Sequence, residues 1–272
     1  MSITERIFFT IFISCFIVST VLHLINVFFM RKNNSIVKIY GRHAVLDALS
    51  NHKRSHKEIF TTQNVYFNHK ATIDSSGAKL LIKLPKELDL LAPDAVHQNI
   101  ILHTSSIMTR DTTHLQNIIK KDRSVIIALD QVTDPQNVGA IIRSALAFNV
   151  DAILLPEHAT PDETPSLAKA AAGAIEKLPI IKITNLVNTI KLLKKNHYWA
   201  IGLDSNTKNL VSNYVFDKKI LLILGSEGKG LRPLTIQNCD SLIKLPISKS
   251  VESLNVSNAA AIAMYEAFKQ GL

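Results

Sequence analysis

Beyond Arg123 the apolar positions of this chain alternate between short, nearly continuous runs and longer runs with helical spacing. The short runs at 125–129, 152–155, 179–183, 198–203, 220–224 and 242–245 are predicted strands. Most read as unbroken Val, Ile and Leu, the pattern of strands buried on both faces. Between and after them the spacing predicts helices over 137–148, 166–174, 186–195 and 255–269. Strands alternating with helices of this length predict an α/β domain over 123–272, built on a parallel sheet covered on both faces.

Upstream the pattern is less regular. Helical spacing over 41–49, a basic turn at 51–57, a strand over 58–66 and a lysine-interrupted apolar pattern over 78–91 predict a smaller α/β module spanning 36–105. The polar, Thr/Ser/Lys-rich stretch 106–122 is predicted to be a linker. No internal repeat is evident. Residues 7–30 are almost wholly apolar, which admits three readings. They are long enough to span a bilayer, with Arg31-Lys32 holding the downstream flank in the cytoplasm. They lack the basic flank and small-residue cleavage site of a signal peptide. The third reading, which the self-sufficient pattern after Met30 favours, is an extended start.

Composition narrows the partners. Thirty-one Lys and Arg against 22 Asp and Glu give a net charge of +9 and a pI near 9.5. That balance suits a polyanion such as RNA, and it equally describes a chain of solvated lysines. Two cysteines, Cys15 and Cys239, make no disulfide framework, as in a reducing, cytoplasmic compartment. Of the ten histidines, His52 and His56 stand one helical turn apart. With no third ligand near them they are read as part of a solvated basic helix, and no metal site is predicted.

Three segments of the larger domain carry candidate chemistry. The first runs from Leu129 through Asp130, Thr133, Asp134, Pro135, Asn137 and Gly139 to Arg143 and Ser144. Asn137 is placed as a helix N-cap, and Arg143 offers a planar, permanently charged group suited to a phosphate. Gly139, early in a helix, costs roughly 1 kcal/mol against Ala, so close packing or a ligand is expected there. The second is the glycine-rich turn Gly225-Ser226-Glu227-Gly228-Lys229-Gly230 at the end of a strand. The third is Leu245-Pro246-Ile247, followed by Ser253-Leu254-Asn255-Val256-Ser257. Taken singly, these are a capped helix, a flexible turn and a second cap. Together, following strands of one parallel sheet, they predict a cofactor pocket at its carboxyl edge. No G-x-G-x-x-G follows the first strand, which disfavours an ordinary dinucleotide-binding oxidoreductase.

These three segments resemble the three motifs of the SpoU (TrmH) branch of the SPOUT RNA methyltransferases. Lys169-x-x-x-Gly173-Ala174-x-Glu176-x-x-Pro179 resembles the segment between them. Tyr40-Gly41-x-His43-Ala44-Val45 resembles the opening of the substrate-binding domain in the subgroup that 2′-O-methylates a guanosine of 23S rRNA. The resemblance begins near Val37 and is strongest from Val125 onward; residues 1–29 have no counterpart.

The resemblance implies a C-terminal SPOUT domain whose last strands and helix pass through a trefoil knot, preceded by a small α/β RNA substrate-binding domain. It implies S-adenosylmethionine as cofactor, and a homodimer whose active site draws on both subunits. Carried over by motif, Asn137, Arg143, Glu227, Ser253 and Asn255 form the polar catalytic set. Gly225, Gly230, Leu245, Ile247 and Leu254 contact the cofactor, largely through backbone groups. Two positions depart from the family: Gln136 replaces the commoner His, and Lys249 stands where Gly is usual. The implied reaction moves a methyl group from a sulfonium to a ribose 2′-oxygen. The alternatives are a tRNA ribose methyltransferase and a non-catalytic RNA-binding protein of the same fold.

Overall fold

The computed structural model describes residues 35–93, 95–110, 112–248 and 250–272. The apolar stretch 7–30 and Lys249 therefore lie outside the described residues.

The smaller lobe runs β1 (Ile36–Tyr40), α1 (Arg42–Leu49), β2 (His56–Thr61), α2 (Gln63–Asn68), α3 (Lys70–Ser75), β3 (Lys79–Ile82), α4 (Pro85–Leu91), β4 (Ile100–Ser105). Its sheet has the order β1-β4-β2-β3, with β4 antiparallel to both neighbours and β2 parallel to β3. Ile39, Val45, Ile59, Val65, Ile73 and Leu102 close its main core.

Three sequence expectations change here. The strand expected over 58–66 stops at Thr61, and helix α2 begins at Gln63, turning Val65 into the core. The apolar pattern over 78–91 divides at Pro85, which opens α4, while the Glu87 carboxylate accepts from the Leu84 N–H at 2.8 Å. The basic turn ends at Ser55, so His56 opens a strand and shares no helix with His52. The His56 Nδ1 lies 3.0 Å from Thr104 Oγ1, and burial, reinforced by the Arg54 charge, pushes its imidazole below the ordinary range.

The larger lobe begins with α5 (Thr113–Ile119), inside the stretch read as linker, whose Leu115 and Ile118 are buried beneath the sheet. Then follow β5 (Ser124–Asp130), α6 (Pro135–Ala147), β6 (Ala152–Pro156), α7 (Pro165–Ala171), β7 (Ile180–Ile183), α8 (Leu186–Lys195), β8 (Trp199–Leu203), β9 (Lys219–Gly225), α9 (Pro233–Asn238), β10 (Ser241–Ile243) and α10 (Val256–Lys269). The sheet order is β10-β8-β9-β5-β6-β7, with every neighbouring pair parallel. The central strands alternate between two cores, as an extended backbone requires. Val125, Ile127 and Leu129 pack with α6 and α10, whereas Ile126 and Ala128 pack with α8.

The helix expected over 166–174 ends at Ala171 because Ala172 and Gly173 both take left-handed backbone conformations, and a 3-10 turn, Ala174–Glu176, follows. Helix α9 was not anticipated, since its single turn and a half is too short for a periodic signal.

Gly139 fulfils the expectation of close packing. A Cβ built there would stand 2.5 Å from the Leu167 carbonyl oxygen and 2.6 Å from the Ala170 Cβ, so α6 and α7 touch backbone to backbone. Gly139→Ala should therefore destabilise by about 1–3 kcal/mol through overpacking, outweighing the ~1 kcal/mol gain in helix propensity. Urea unfolding checks this, and a variant more stable than the parent would contradict the close approach.

Candidate active site

The carboxyl ends of β5, β8 and β9 and the chain leaving β10 meet at one edge of the large sheet. Gly225 closes β9, and a Cβ there would fall 2.2 Å from the Gly230 carbonyl carbon and 2.5 Å from the Leu231 nitrogen. The turn thus folds back onto its own first residue, which only glycine permits. Ser226 and Gly230 exchange backbone hydrogen bonds at 3.2 and 2.9 Å, and Gly228 and Gly230 adopt positive φ. The far end of the turn is tied to β5 by Asp130, a fully buried carboxylate. It accepts from the Arg232 backbone N–H at 3.0 Å, the Arg232 Nε at 2.6 Å and the Thr235 hydroxyl at 2.7 Å. Asp130 belongs to the first motif by sequence, yet its work is to anchor the second.

Asn137 lies in the first turn of α6, not at its cap. Asp134 caps the helix by accepting from the Gln136 N–H at 3.0 Å, and Pro135, with φ already set for a helix, opens it. Relieved of capping, Asn137 is buried and turns its amide toward the glycine-rich loop. Its Nδ2 donates to Glu227 Oε1 at 3.1 Å, and its Oδ1 accepts from Asn255 Nδ2 at 2.9 Å. Asn255 Nδ2 also donates to Glu227 Oε1 at 2.6 Å, as does the Val256 backbone N–H at 3.2 Å. Asn255 is in addition the N-cap of α10, accepting from the Ser257 and Asn258 N–H groups. One carboxylate and two carboxamides thereby join all three motifs.

Beside this cluster is a cavity of about 810 Å³, within the range of small-molecule sites. Gly225, Gly230, Leu245, Ile247 and Leu254 all line it, together with Glu227 and Ser253. Asn137 and Asn255 stand behind its wall through Glu227. Arg143 does not join them. Six residues beyond Asn137 on a straight helix, it is rotated by roughly 240° and displaced by about 9 Å; it is exposed, and no described residue pairs with its guanidinium. Asp204, which lines the cavity just beyond β8, escaped the sequence reading. Its Oδ1 accepts from the Asn206 N–H at 2.7 Å, leaving Oδ2 available. The signal was present, since the apolar run 198–203 ends in a polar turn like its neighbours.

Cys239 is half-buried near this edge, its Sγ 3.3 Å from the Thr235 carbonyl oxygen. Burial, together with the Asp240 charge, pushes its thiol up to about 12. Among the described residues no group of His, Cys, Asp and Glu has the arrangement of a metal site.

The fold and this site define a class: a parallel-sheet enzyme domain whose ligand pocket is made by glycine-rich and Pro-led loops at one sheet edge. The SpoU rRNA Methylase family matches residues 124–265, and the RNA 2′-O ribose methyltransferase substrate-binding family matches residues 38–109. The chain is 35% identical, over 87% of its length and 97% of the relative's, to the 23S rRNA (guanosine-2′-O-)-methyltransferase RlmB of Coxiella burnetii. It is 33% identical, over 85% and 98% of the two chains, to the protein of that name in Escherichia coli. Its fold is similar to the SpoU methyltransferase AviRb from Streptomyces viridochromogenes, solved with AdoMet (TM-score 0.76, 20% identity, 89% and 92% of the two chains covered). It is also similar to an AdoMet-bound rRNA methyltransferase from Sinorhizobium meliloti (TM-score 0.75, 22% identity, 87% and 88% covered). The chain belongs to the SpoU rRNA methylase family.

Two outcomes follow from this geometry. Glu227→Ala removes the common acceptor of Asn137, Asn255 and the Val256 N–H, so the three loops lose register; a shift of about 1 Å costs on the order of 100-fold in turnover. Steady-state methyl transfer measures it, and turnover within two-fold of the parent would contradict the role given to Glu227. Because only the thiolate reacts with alkylating agents, Cys239 in the native protein should stay unmodified by iodoacetamide at pH 8 and react on unfolding. Peptide mapping by mass spectrometry reads the result.

Proposed function

We propose that this protein transfers a methyl group from S-adenosylmethionine to the ribose 2′-hydroxyl of a guanosine in 23S rRNA. The observation that carries the proposal is the convergence of three loops on one cavity through Glu227, Asn137 and Asn255. The relatives' names support the target, and the net charge of +9 supports a polyanionic substrate.

The cavity residues fit the cofactor. Gly225 and Gly230 allow a close approach to backbone, Leu245, Ile247 and Leu254 offer apolar lining, and the free Asp204 Oδ2 can accept from a hydroxyl or amino group. When bound, S-adenosylmethionine supplies an electrophilic methyl group on a sulfonium with a neutral thioether as leaving group. What remains for the protein is to position and activate a weakly acidic hydroxyl. Glu227, fixed by its three donors, and Ser253, exposed at the cavity wall, orient the ribose and base; Asn137 and Asn255 hold Glu227. Arg143 grips the adjoining phosphate with two hydrogen bonds, and its fixed charge favours the developing 2′-oxyanion as the hydroxyl proton passes to solvent water. The requirement for a 2′-hydroxyl is what selects RNA over DNA.

The orientation of Arg143 supports a homodimer in which this residue serves the partner's cavity. An exposed apolar face supports it too: Ile262, Tyr265 and Phe268 of α10 are 41%, 47% and 39% exposed, and Phe148 at the end of α6 lies 5.8 and 5.9 Å from the two aromatic rings. In this reading residues 36–105 bind RNA, 106–122 lead into the large lobe and add α5 to it, 123–272 catalyse along the knotted path the family implies, and the enzyme works in the cytoplasm. No helix among the described residues is long and apolar enough to cross a membrane.

Incubation with tritiated S-adenosylmethionine and either a 23S rRNA or a tRNA transcript tests the reaction. Label should enter the rRNA and survive alkaline hydrolysis in a dinucleotide, because a methylated 2′-oxygen cannot attack the adjacent phosphate. Label confined to tRNA would overturn the target, and binding of RNA without transfer would indicate a non-catalytic protein. Arg143→Ala should abolish transfer while cofactor affinity, read by calorimetry, stays within a few-fold; near-full turnover would remove Arg143 from the mechanism. Sedimentation should give a dimer, and a fully active monomer would contradict the shared site.

A further inference from the structure

The segment between the first and second motifs, from Lys169 to Pro179, lines no part of the active-site cavity. It forms the joint between the two lobes. Arg54, in the basic turn of the small lobe, is fully buried and spends its guanidinium across the boundary. Its Nε and Nη2 make a two-pronged contact with Glu176 at 2.7 Å each, and Nη2 also meets Glu163 Oε1 at 2.5 Å. Nη1 donates to the Ser105 carbonyl oxygen at 2.7 Å. Asn51 adds a bond to Glu176 Oε2 at 2.8 Å. Glu163 in turn accepts from the Ser106 hydroxyl at 2.8 Å and the Ile107 N–H at 2.9 Å, both on the chain that connects the lobes.

Glu163 and Glu176 stand before and after α7, so the clamp holds that helix by both ends. Ala168 of α7 is buried in the small-lobe core, and a Cβ on Gly173 would lie 2.2 Å from the Asp47 carboxylate of α1. On its other side α7 meets α6 at Gly139, where the Leu167 carbonyl and the Ala170 methyl leave no room for a side chain. A rigid path therefore runs from Arg54 through α7 to the helix that bears Asn137 and Arg143.

We propose that Arg54, Glu163 and Glu176 are positioning residues, which hold the small lobe at one fixed setting relative to α6 and so determine which nucleotide of the bound RNA reaches the methyl-transfer cavity. This rests on the proposed function and deepens it. A bidentate guanidinium fixes angle as well as distance, which a lysine in its place cannot do. Apolar packing alone would tolerate sliding; a buried charge with every hydrogen bond directed tolerates little. The device sets substrate register without touching cofactor or RNA.

Two variants test it: Arg54→Lys, which keeps the charge and loses the fork, and Asn51→Asp, which sets a carboxylate against Glu176 at a part-buried site. The first readout is the distance distribution between spin labels introduced as unnatural amino acids at the exposed Lys86 and Lys195, one on each lobe. It should be narrow in the parent and broader in both variants; equal widths in folded variants overturn the clamp, whatever the enzyme's substrate. The second readout is the position of 2′-O-methylation on an rRNA transcript. The variants should lose selectivity, placing methyl groups on neighbouring nucleotides and lowering kcat/KM for the proper site several-fold, while affinity for S-adenosylmethionine stays unchanged. Broadened distances with unaltered methylation sites would overturn the register role. Failure of the parent to methylate RNA would count against the proposed function and leave the distance result to decide the clamp.

Discussion

A single carboxylate oxygen organises the working edge of this molecule. Oε1 of Glu227 accepts from the Asn137 amide, the Asn255 amide and the Val256 backbone N–H, drawing the start of α6, the glycine-rich turn and the start of α10 onto one point. Each of these segments would otherwise be a loop end with its own freedom. A charged acceptor strengthens all three bonds, and its position near the N-terminus of α10 is favoured by the helix dipole. Asp130 performs the complementary task beneath, tying the end of the same turn to the middle of the sheet through Arg232 and Thr235. The cavity keeps its shape because both ends of the turn are held by carboxylates.

The rest of the fold serves to bring these ends together. Six parallel strands place four carboxyl termini side by side, and glycines remove side chains where backbones must touch, at Gly225 in the turn and Gly139 between helices. The buried Arg54 cluster extends the same principle across the lobes. A charge taken from water is costly unless fully paired, and here two carboxylates, a carbonyl and an asparagine complete the set. Such an arrangement is weak as a source of stability and strong as a definition of geometry.

Much of this was legible in the sequence, for reasons that differ by region. The large lobe announced itself because parallel strands buried on both faces are continuous runs of Ile, Leu and Val, hard to mistake when six recur. The residues lining the cavity were legible because only glycine suits the return of the turn at Gly225 and the positive φ at Gly230. The small lobe was harder. Its strands are only four to six residues long, so β1 and β4 give little periodic signal, and α2 reads as the continuation of a strand because Val65 and Tyr66 suit either state. The fate of Arg54 could not be read at all: its carboxylate partners lie more than a hundred positions away, and a basic turn gives no sign that its middle residue is buried. Asn137 does stand at the start of a helix, but Asp134, three residues earlier and followed by Pro135, takes the capping role that the sequence assigns to Asn137.

In the proposed function, methylation of a 23S rRNA guanosine depends on the Glu227 cluster. The most direct measurement is a map of 2′-O-methylated nucleotides in rRNA from cells lacking the gene, complemented with either the parent protein or the Glu227→Ala variant. One guanosine methylation of 23S rRNA should disappear with the gene, return with the parent and fail to return with the variant. An rRNA methylation map unchanged by loss of the gene, or fully restored by Glu227→Ala, would contradict it.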